Sequence, residues 1–468
     1  MHMENDLGRD PIRRLVWRIA LPSMFAQFVS VLYSIVDRMY IGHIAGVGGL
    51  ALAGVGTCGP IVTMIGSVAS WVGIGGAPLM SMRMGEGRAD QARQILANCF
   101  LLLSAGSVLL MAFAFPLRTP MLHAFGTSAA TFGYAHTYLS VYLLGTPFAL
   151  LATGMNQFII CQGFANKGMQ SVLLGAVLNI LLDPLFIFTF GMGVAGAALA
   201  TVLSQMGSCA FVLWFLFGKR VPIRITFGAY CWRWIRRILT TGFTPFLIIA
   251  IDNVMIIAMN AVLQRYGGPG QGDILITCAT IAQSFMLVVT MPLGGISGGT
   301  QSILGYNYGA CRVDRVRQAQ RTIFGLCIGY TAVMFLLAHL AGPLFIRLFT
   351  QDTALAALAQ RAISICTLAI IPLGAQYEIV DGFTAIGMVR FALPLSFFRK
   401  LVYFIALFWL PASLGAPAAF YAEPISDLLG PAVSIWIYAV AMKKVLFRRL
   451  EMRGNIPRQQ EPHNNGGD

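Results

Sequence analysis

Long apolar runs alternate with short charged loops along the whole chain. Twelve runs exceed the roughly 20 residues that an α-helix needs to cross a bilayer. They lie near 15–41, 50–82, 92–116, 130–160, 168–190, 194–217, 234–262, 273–304, 317–340, 355–385, 389–411 and 417–442. The first run is longer than a signal-peptide core and has no clear cleavage site, so we expect it to be a retained helix. This pattern predicts an all-α, polytopic membrane protein with twelve transmembrane helices.

The composition excludes several broad classes of protein. Of 468 residues, 57% are hydrophobic and only 11% are charged, whereas soluble domains need a polar coat. A soluble enzyme, a disordered chain and a disulfide scaffold are therefore excluded. The nine cysteines are scattered singly, so neither a disulfide frame nor a zinc site follows from them.

Basic residues lie mostly on one side of the predicted membrane. With twelve spans, 25 Lys and Arg residues fall on the side that holds both termini and only five on the other. By the positive-inside rule both termini are cytoplasmic. The same placement accounts for most of the net charge of +14 as charge that faces anionic lipid, so no nucleic-acid partner is needed. The polar tail 447–468 is expected to be disordered.

The two halves of the chain resemble each other. Gly85, Arg88 and Asp90 recur as Gly309, Arg312 and Asp314, always 224 residues later. A generic cytoplasmic turn is the simpler explanation of this match alone, but further glycine and proline matches make a repeat the stronger one. We therefore expect a cytoplasmic segment 1–14, an N-terminal six-helix lobe 15–217, a linker 218–233 and a C-terminal six-helix lobe 234–446. Parallel repeats of six spans are typical of alternating-access transporters.

We single out five acidic residues within the predicted spans: Asp37, Asp183, Asp252, Glu378 and Asp381. An ionised carboxylate at mid-bilayer costs on the order of 3 kcal/mol. Such residues are most simply tolerated when they face a wet cavity or bind cations. A structural ion pair or a position near a helix end is the alternative, and for the last three residues the two explanations are about equally good.

The stretch Asn179–Pro184 concentrates oxygen ligands within one helical turn. Asn179 and Asp183 are four residues apart and share a helix face, and Pro184 frees the carbonyl of Ile180. Oxygen ligands of this kind suit Na⁺ or a proton held in a network. An ordinary proline kink explains Pro184 but not Asp183. Thr201 adds a hydroxyl on the small-residue stripe of the sixth span, which otherwise suits packing.

Two further charged positions lie at membrane depth. In the first span, Tyr33 stands one turn from Asp37 on the same face. In the eleventh span, Arg399 and Lys400 lie among apolar residues. We expect Arg399 to pair with Glu378 or Asp381, since a lone buried cation is costly. The alternative is that this span begins after Lys400.

Enzyme motifs in the chain lack their structural context. The glycines of 191–196 match a dinucleotide fingerprint but follow no strand, and the nucleophile-elbow match at 295–299 lies inside a span. The chain has no Walker A loop, and its six histidines form no catalytic set. These observations argue against an enzyme, a cofactor and ATP-driven transport, so the energy would come from an ion gradient.

Several motifs together resemble the multidrug and toxic compound extrusion (MATE) family, closest to its bacterial drug exporters. They are SIVDRMYIG at 34–42, ALAGVG at 51–56, NILLDP at 179–184, PLGG at 292–295 and ILGYNYG at 303–309. The resemblance covers about residues 11–450. It implies two six-helix lobes in a V and secondary active export of small organic, often cationic, compounds against entry of Na⁺ or H⁺.

The resemblance also implies roles for individual residues. The family's cation-coupling network matches Tyr33, Asp37, Asn179, Asp183 and Thr201, and Na⁺ is a candidate ligand of Asp37, Asn179 and Asp183. The family's substrate cavity matches Tyr138 and Asn156, beside which we place Met155. Helix bends are expected at Pro22 and Pro184. Asp252, Glu378, Asp381 and Arg399 form a candidate second network that matches only loosely. We expect a monomer in the bacterial inner membrane. A flippase for lipid-linked saccharides or lipids remains an alternative, as does a passive channel.

Overall fold

The computed structural model describes residues 5–125, 127–268 and 271–454, and this part of the chain is helical without strands. The helices are α1 (Ile12–Gly42), α2 (Gly48–Gly85), α3 (Ala89–Ala124), α4 (Phe132–Ile160), α5 (Ala165–Pro184), α6 (Gly193–Phe217), α7 (Trp232–Gly267), α8 (Gln271–Gly309), α9 (Val313–Leu340), α10 (Gly342–Ile346), α11 (Thr353–Cys366), α12 (Ile370–Ala385), α13 (Val389–Leu414) and α14 (Ala422–Gly454). A π-helical turn, Leu185–Thr189, follows α5, and a 3₁₀-helix, Ala416–Tyr421, precedes α14.

The number of membrane crossings agrees with the hydrophobic pattern. Among the described residues, eleven helical segments are long and apolar enough to span a bilayer. The helices α11 and α12 meet at a bend of 48° and together form a twelfth span. The prediction of an all-α protein with twelve transmembrane helices is confirmed.

The C-terminal helix is longer than the sequence pattern indicates. Helix α14 continues to Gly454, so the prediction of disorder is wrong for residues 447–454, while residues 455–468 lie outside the described part of the chain. The basic segment after the membrane carries apolar residues at helical spacing. Met442, Val445 and Leu446 are buried in the core shared with α1, α8, α9 and α12, and this burial stabilises the extension.

Each half of the chain builds its own apolar core. One cluster joins α2, α4 and α6 around Ile65 and Leu143, and another joins α7, α8 and α13 around Leu263 and Leu407. Helix α1 differs, because its first turns, with Leu15 and Ile19, pack into a cluster of C-half helices. The start of α1 therefore belongs to the contact between the halves.

Glycines bring α2 and α8 into backbone contact between the halves. A Cβ atom at Gly85 would lie 2.0 Å from the carbonyl oxygen of Tyr306, and one at Gly309 would lie 2.2 Å from that of Met82. Each residue of one contact lies 224 positions from its counterpart in the other. The contact is thus self-complementary, as a pseudo-two-fold axis between repeats requires. This end of the molecule, beside the arginine-rich loops, is closed.

The residues before α1 tie the two halves together at the same end. The Asn5 Nδ2 amide donates to the carbonyl of Gly163 in the N-terminal half at 2.8 Å. From the C-terminal half, Asn307 Nδ2 donates to the carbonyl of Leu7 at 3.0 Å, and Arg315 donates to that of Asp10 at 2.8 Å. We call residues 5–10 the N-terminal strap. The sequence placed this segment in the cytoplasm but gave no sign of these contacts.

Candidate functional site

Two carboxyl groups meet inside the N-terminal half. Asp37 lies in the last turns of α1 and Asp183 lies at the end of α5, and their side chains interact directly. Asp183 is fully buried. One oxygen of each group, Asp37 Oδ1 and Asp183 Oδ2, is buried without a hydrogen-bond partner among the described residues. Neither carboxylate takes part in a salt bridge there.

Asn179 and Thr201 complete a cluster of oxygen atoms beside Asp183. The Asn179 Nδ2 amide donates to Asp183 Oδ1 at 3.4 Å and approaches Thr201 Oγ1 at 3.5 Å. Thr201 lies on α6 and donates its hydroxyl to the carbonyl of Ala197. Because the Asn179 amide nitrogen points at Asp183, the Asn179 Oδ1 oxygen is left buried and without a hydrogen-bond partner among the described residues. The i, i+4 spacing does place Asn179 and Asp183 on one face.

Two tyrosines flank this cluster. Tyr138 of α4 is 7% exposed and hydrogen-bonds with Thr201, and its ring stacks on Tyr142. Tyr33 stands one turn before Asp37 and interacts with it electrostatically. The structure therefore brings together Tyr33, Asp37, Tyr138, Asn179, Asp183 and Thr201, which come from four helices.

The local backbone explains how Asp183 reaches this position. Pro184 cannot donate a backbone hydrogen bond, and at this residue the α-helix gives way to the π-helical turn. Asp183 directly precedes this proline, so its carboxyl group sits where the helical ladder is interrupted. Pro22, by contrast, lies inside a helix that continues without a break from Ile12 to Gly42.

The chemistry of this cluster fits a small cation or a proton. Three buried oxygens, on Asp37, Asn179 and Asp183, accept no hydrogen bond from the described residues. Two adjacent buried carboxylates repel each other when both are ionised, so a proton or a metal ion between them lowers the free energy. Carboxylate, amide and hydroxyl oxygens are suitable ligands for Na⁺.

The two other residues assigned to the substrate cavity lie in different surroundings. Asn156 is 8% exposed, accepts the Ser171 hydroxyl at 3.1 Å and lines a small cavity of about 110 Å³ between the halves, with Ser23 and Gly295. Met155 is fully buried in the core of α2, α3 and α4. The assignment of Met155 to the cavity is therefore wrong for this conformation, because adjacent residues on a helix point about 100° apart.

The buried cations of α13 pair with partners that the sequence analysis did not name. Arg399 forms a salt bridge with Asp427 of α14 at 2.7 Å, and Lys400 pairs with Asp252 of α7. The expected pairing of Arg399 with Glu378 or Asp381 is wrong, since Arg399 faces α14. Gly430 makes room for it, because a Cβ there would lie 2.8 Å from Arg399 Cγ. Both cations lie inside α13, so the alternative of a later helix start is also wrong.

Two acidic residues of α14 were missed. Glu423 and Asp427 lie within the last predicted span, 417–442, and a count of acids in that span would have found them. Glu423 interacts electrostatically with Asp427, Arg399 and Lys400. This half therefore holds three acids and two cations in one network.

Glu378 and Asp381 form a separate group on α12. Asp381 Oδ2 accepts a hydrogen bond from Ser297 of α8 at 2.5 Å, and Glu378 Oε1 is buried without a partner among the described residues. Neither takes part in a salt bridge there. The four residues proposed as one C-terminal network are thus divided between two places, with Asp252 and Arg399 in the other.

A family model described as MatE matches residues 22–185 and 247–410. The two stretches have equal length and start 225 residues apart, close to the repeat spacing read from the sequence. The chain belongs to the MatE family. This MatE protein is accordingly a membrane transporter and not an enzyme, and the resemblance found in the sequence is confirmed.

Relatives and solved structures agree with this assignment over almost the whole chain. The multidrug export protein MepA of Staphylococcus saprophyticus is 23% identical over 92% of this chain and 95% of its own. The FAD transporter of Shewanella oneidensis is 25% identical over 90% and 92%. A structure described as the outward-facing conformation of a multidrug resistance MATE family transporter superimposes with a TM-score of 0.87 at 22% identity, covering 94% of this chain and 98% of that one. The two-lobe fold is therefore shared.

Proposed function

We propose that this transporter exports small organic, often cationic, compounds in exchange for Na⁺ or H⁺. The observation that carries the proposal is the pair Asp37 and Asp183, two embedded carboxyl groups in direct contact that form no salt bridge among the described residues. Embedded carboxylates that form no ion pair are costly, and binding and release of a small cation accounts for their presence. Relatives named as multidrug export proteins support the substrate class.

The proposed setting is the inner membrane of a bacterium, with both termini in the cytoplasm and a monomer as the working unit. The arginine-rich loops at the closed end support this orientation. The closed end is then cytoplasmic, and the halves would separate toward the outside. That state suits release of the exported compound and capture of the incoming ion.

In the proposed cycle, the ion acts on α1. An ion bound between Asp37 and Asp183 removes the repulsion between them and draws the end of α1 toward α5. Pro22 offers a weak point at which α1 can bend, since no backbone hydrogen bond is donated there. The first turns of α1 are packed on the C-terminal half, so bending would couple ion binding to the contact between the halves.

A transport assay on Asp183→Asn tests the proposal. In everted vesicles, we expect ion-driven uptake of ethidium to fall at least ten-fold, because the amide cannot take up a proton or balance a cation. Asp352→Asn is the matched control, since Asp352 is an exposed N-cap of α11 and asparagine caps equally well. Uptake that keeps its rate and ion dependence in Asp183→Asn would contradict the coupling role.

The identity of the ion and the compound can be separated in the same vesicles. Collapsing the Na⁺ and the H⁺ gradients one at a time identifies the coupling ion as the one whose gradient is needed for transport. If neither collapse abolishes transport, antiport with these ions is contradicted. FAD belongs among the test compounds because one relative is named as an FAD transporter. A flippase for pyrophosphate-linked lipids is less well supported, since Arg399 and Lys400 are both paired with carboxylates.

A further inference from the structure

A large cavity lies outside the cation cluster, on the side of the molecule between α1 and α9. It has a volume of about 1110 Å³. Helix α1 contributes Arg13, Trp17 and Leu21, which are spaced four residues apart and so form one stripe. Trp17 and Leu21 are 48% and 43% exposed, so the cavity opens sideways toward lipid. We call it the α1–α9 groove.

The groove is basic at one end and apolar at the other. Arg13 of α1 and Arg317 and Arg321 of α9 line the groove toward the closed, arginine-rich end, together with Asp314. The three arginines form no salt bridge or hydrogen bond within the described part of the chain. Further along α9 the lining becomes apolar as far as Val333. From Arg321 to Val333 the helix rises about 18 Å, slightly more than the ~15 Å hydrocarbon depth of one leaflet.

Two glycines keep the floor of the groove open. A Cβ atom at Gly325 or Gly329 would have no atom within 4 Å, so neither glycine is needed for close helix packing. The first repeat carries Leu101 and Ala105 at the corresponding positions, 224 residues earlier. The open floor is therefore a feature of this half and not a requirement of the repeat.

We propose that the α1–α9 groove binds one anionic phospholipid of the cytoplasmic leaflet. Its phosphate would contact Arg13, Arg317 and Arg321, and one acyl chain would lie over Gly325 and Gly329. The charge of the basic end selects an anionic headgroup, and the length of the apolar part matches one leaflet. A lipid seated there touches α1 of one half and α9 of the other, and so stabilises the closed end.

Trp17 provides a local reporter for this site. The protein is reconstituted in phosphatidylcholine nanodiscs that contain either dibrominated phosphatidylglycerol or dibrominated phosphatidylcholine at equal mole fraction. The measured signal is the part of the tryptophan fluorescence quenching that is absent in the Trp17→Phe variant. We expect phosphatidylglycerol to quench Trp17 more strongly, and each arginine of the groove to account for about five-fold of the preference. Equal quenching by the two lipids would overturn the proposal.

Matched variants separate this site from general attraction to the membrane. Arg317→Gln combined with Arg321→Gln should lower the preference about 25-fold and leave only the share of Arg13, whereas Arg93→Gln, at the repeat-related position of Arg317, should leave it unchanged. Gly325→Leu, which copies the first repeat, should reduce quenching by both lipids without a clash. An undiminished preference in the double variant would contradict the site. The site would also be contradicted if added glycerol phosphate, which lacks acyl chains, relieved the quenching of Trp17, or if ethidium, a cationic transport probe, did so.

Discussion

Gly85 packs its backbone against the carbonyl of Tyr306, and its repeat partner Gly309 does the same against Met82. A contact made twice by symmetric positions closes one end of the molecule without any large side chain. Backbone contact of this kind leaves no space for even one methyl group. The closed end is therefore sensitive to the smallest substitution.

We expect Gly85→Ala to loosen the closed end. The added Cβ would lie 2.0 Å from the Tyr306 oxygen, so α2 and α8 must separate. Hydrogen exchange at residues 5–11 should then become faster, because the N-terminal strap spans both halves. Gly66→Ala is the control, since a Cβ there meets nothing within 4 Å. Equal exchange in the two variants would show that this contact does not hold the end closed.

The N-terminal strap can be tested separately. Asn5→Ala removes the hydrogen bond to Gly163 and leaves a buried carbonyl unpaired, which costs about 1–3 kcal/mol. We expect faster hydrogen exchange in residues 5–11 and in the segment around Gly163. Asn253→Ala is a matched control, because among the described residues its amide donates only to the carbonyl of Ile249 in its own helix. Unchanged exchange in Asn5→Ala would mean that the strap is held by its C-half contacts alone.

The pairing of Arg399 with Asp427 predicts a specific rescue. Arg399→Leu leaves Asp427 buried and unpaired, a loss on the order of 3–5 kcal/mol. The melting temperature in detergent should fall sharply, and Asp427→Asn should restore most of it. Combining Arg399→Leu with Asp381→Asn should give no such recovery, because Asp381 bonds to Ser297 instead. Rescue by the Asp381 variant would contradict the observed pairing.

Met155 and Asn156 are neighbours with different expected effects. Met155→Leu should leave transport KM unchanged and cost less than about 1.5 kcal/mol, since it conserves volume in a closed core. Asn156→Leu should change KM for at least one exported compound, because the amide lines the cavity between the halves. Vesicle transport with several compounds measures both. A KM change in Met155→Leu alone would reverse the assignment.

The cation cluster was largely visible in the sequence. Asn179 and Asp183 are close in the chain, so helical periodicity alone puts them on one face, and Pro184 marks the interruption. The partnership with Asp37 required the resemblance to known transporters, because residues 146 positions apart carry no local signal. Met155 shows the limit of that approach, since a side chain next to Asn156 in the sequence points about 100° away from it on the helix.

Hydrophobic run length, loop charge and internal repetition determined the helix count, the class and the two-half plan. These properties are local or additive, so they can be read from the sequence of each segment without knowledge of how the segments pack. Only the tertiary structure decided that Arg399 selects Asp427, that Gly85 meets Tyr306 and that an open groove lies between α1 and α9. Which acid a buried cation meets depends on how helices rotate and cross, and those angles are set by the packing of all side chains together.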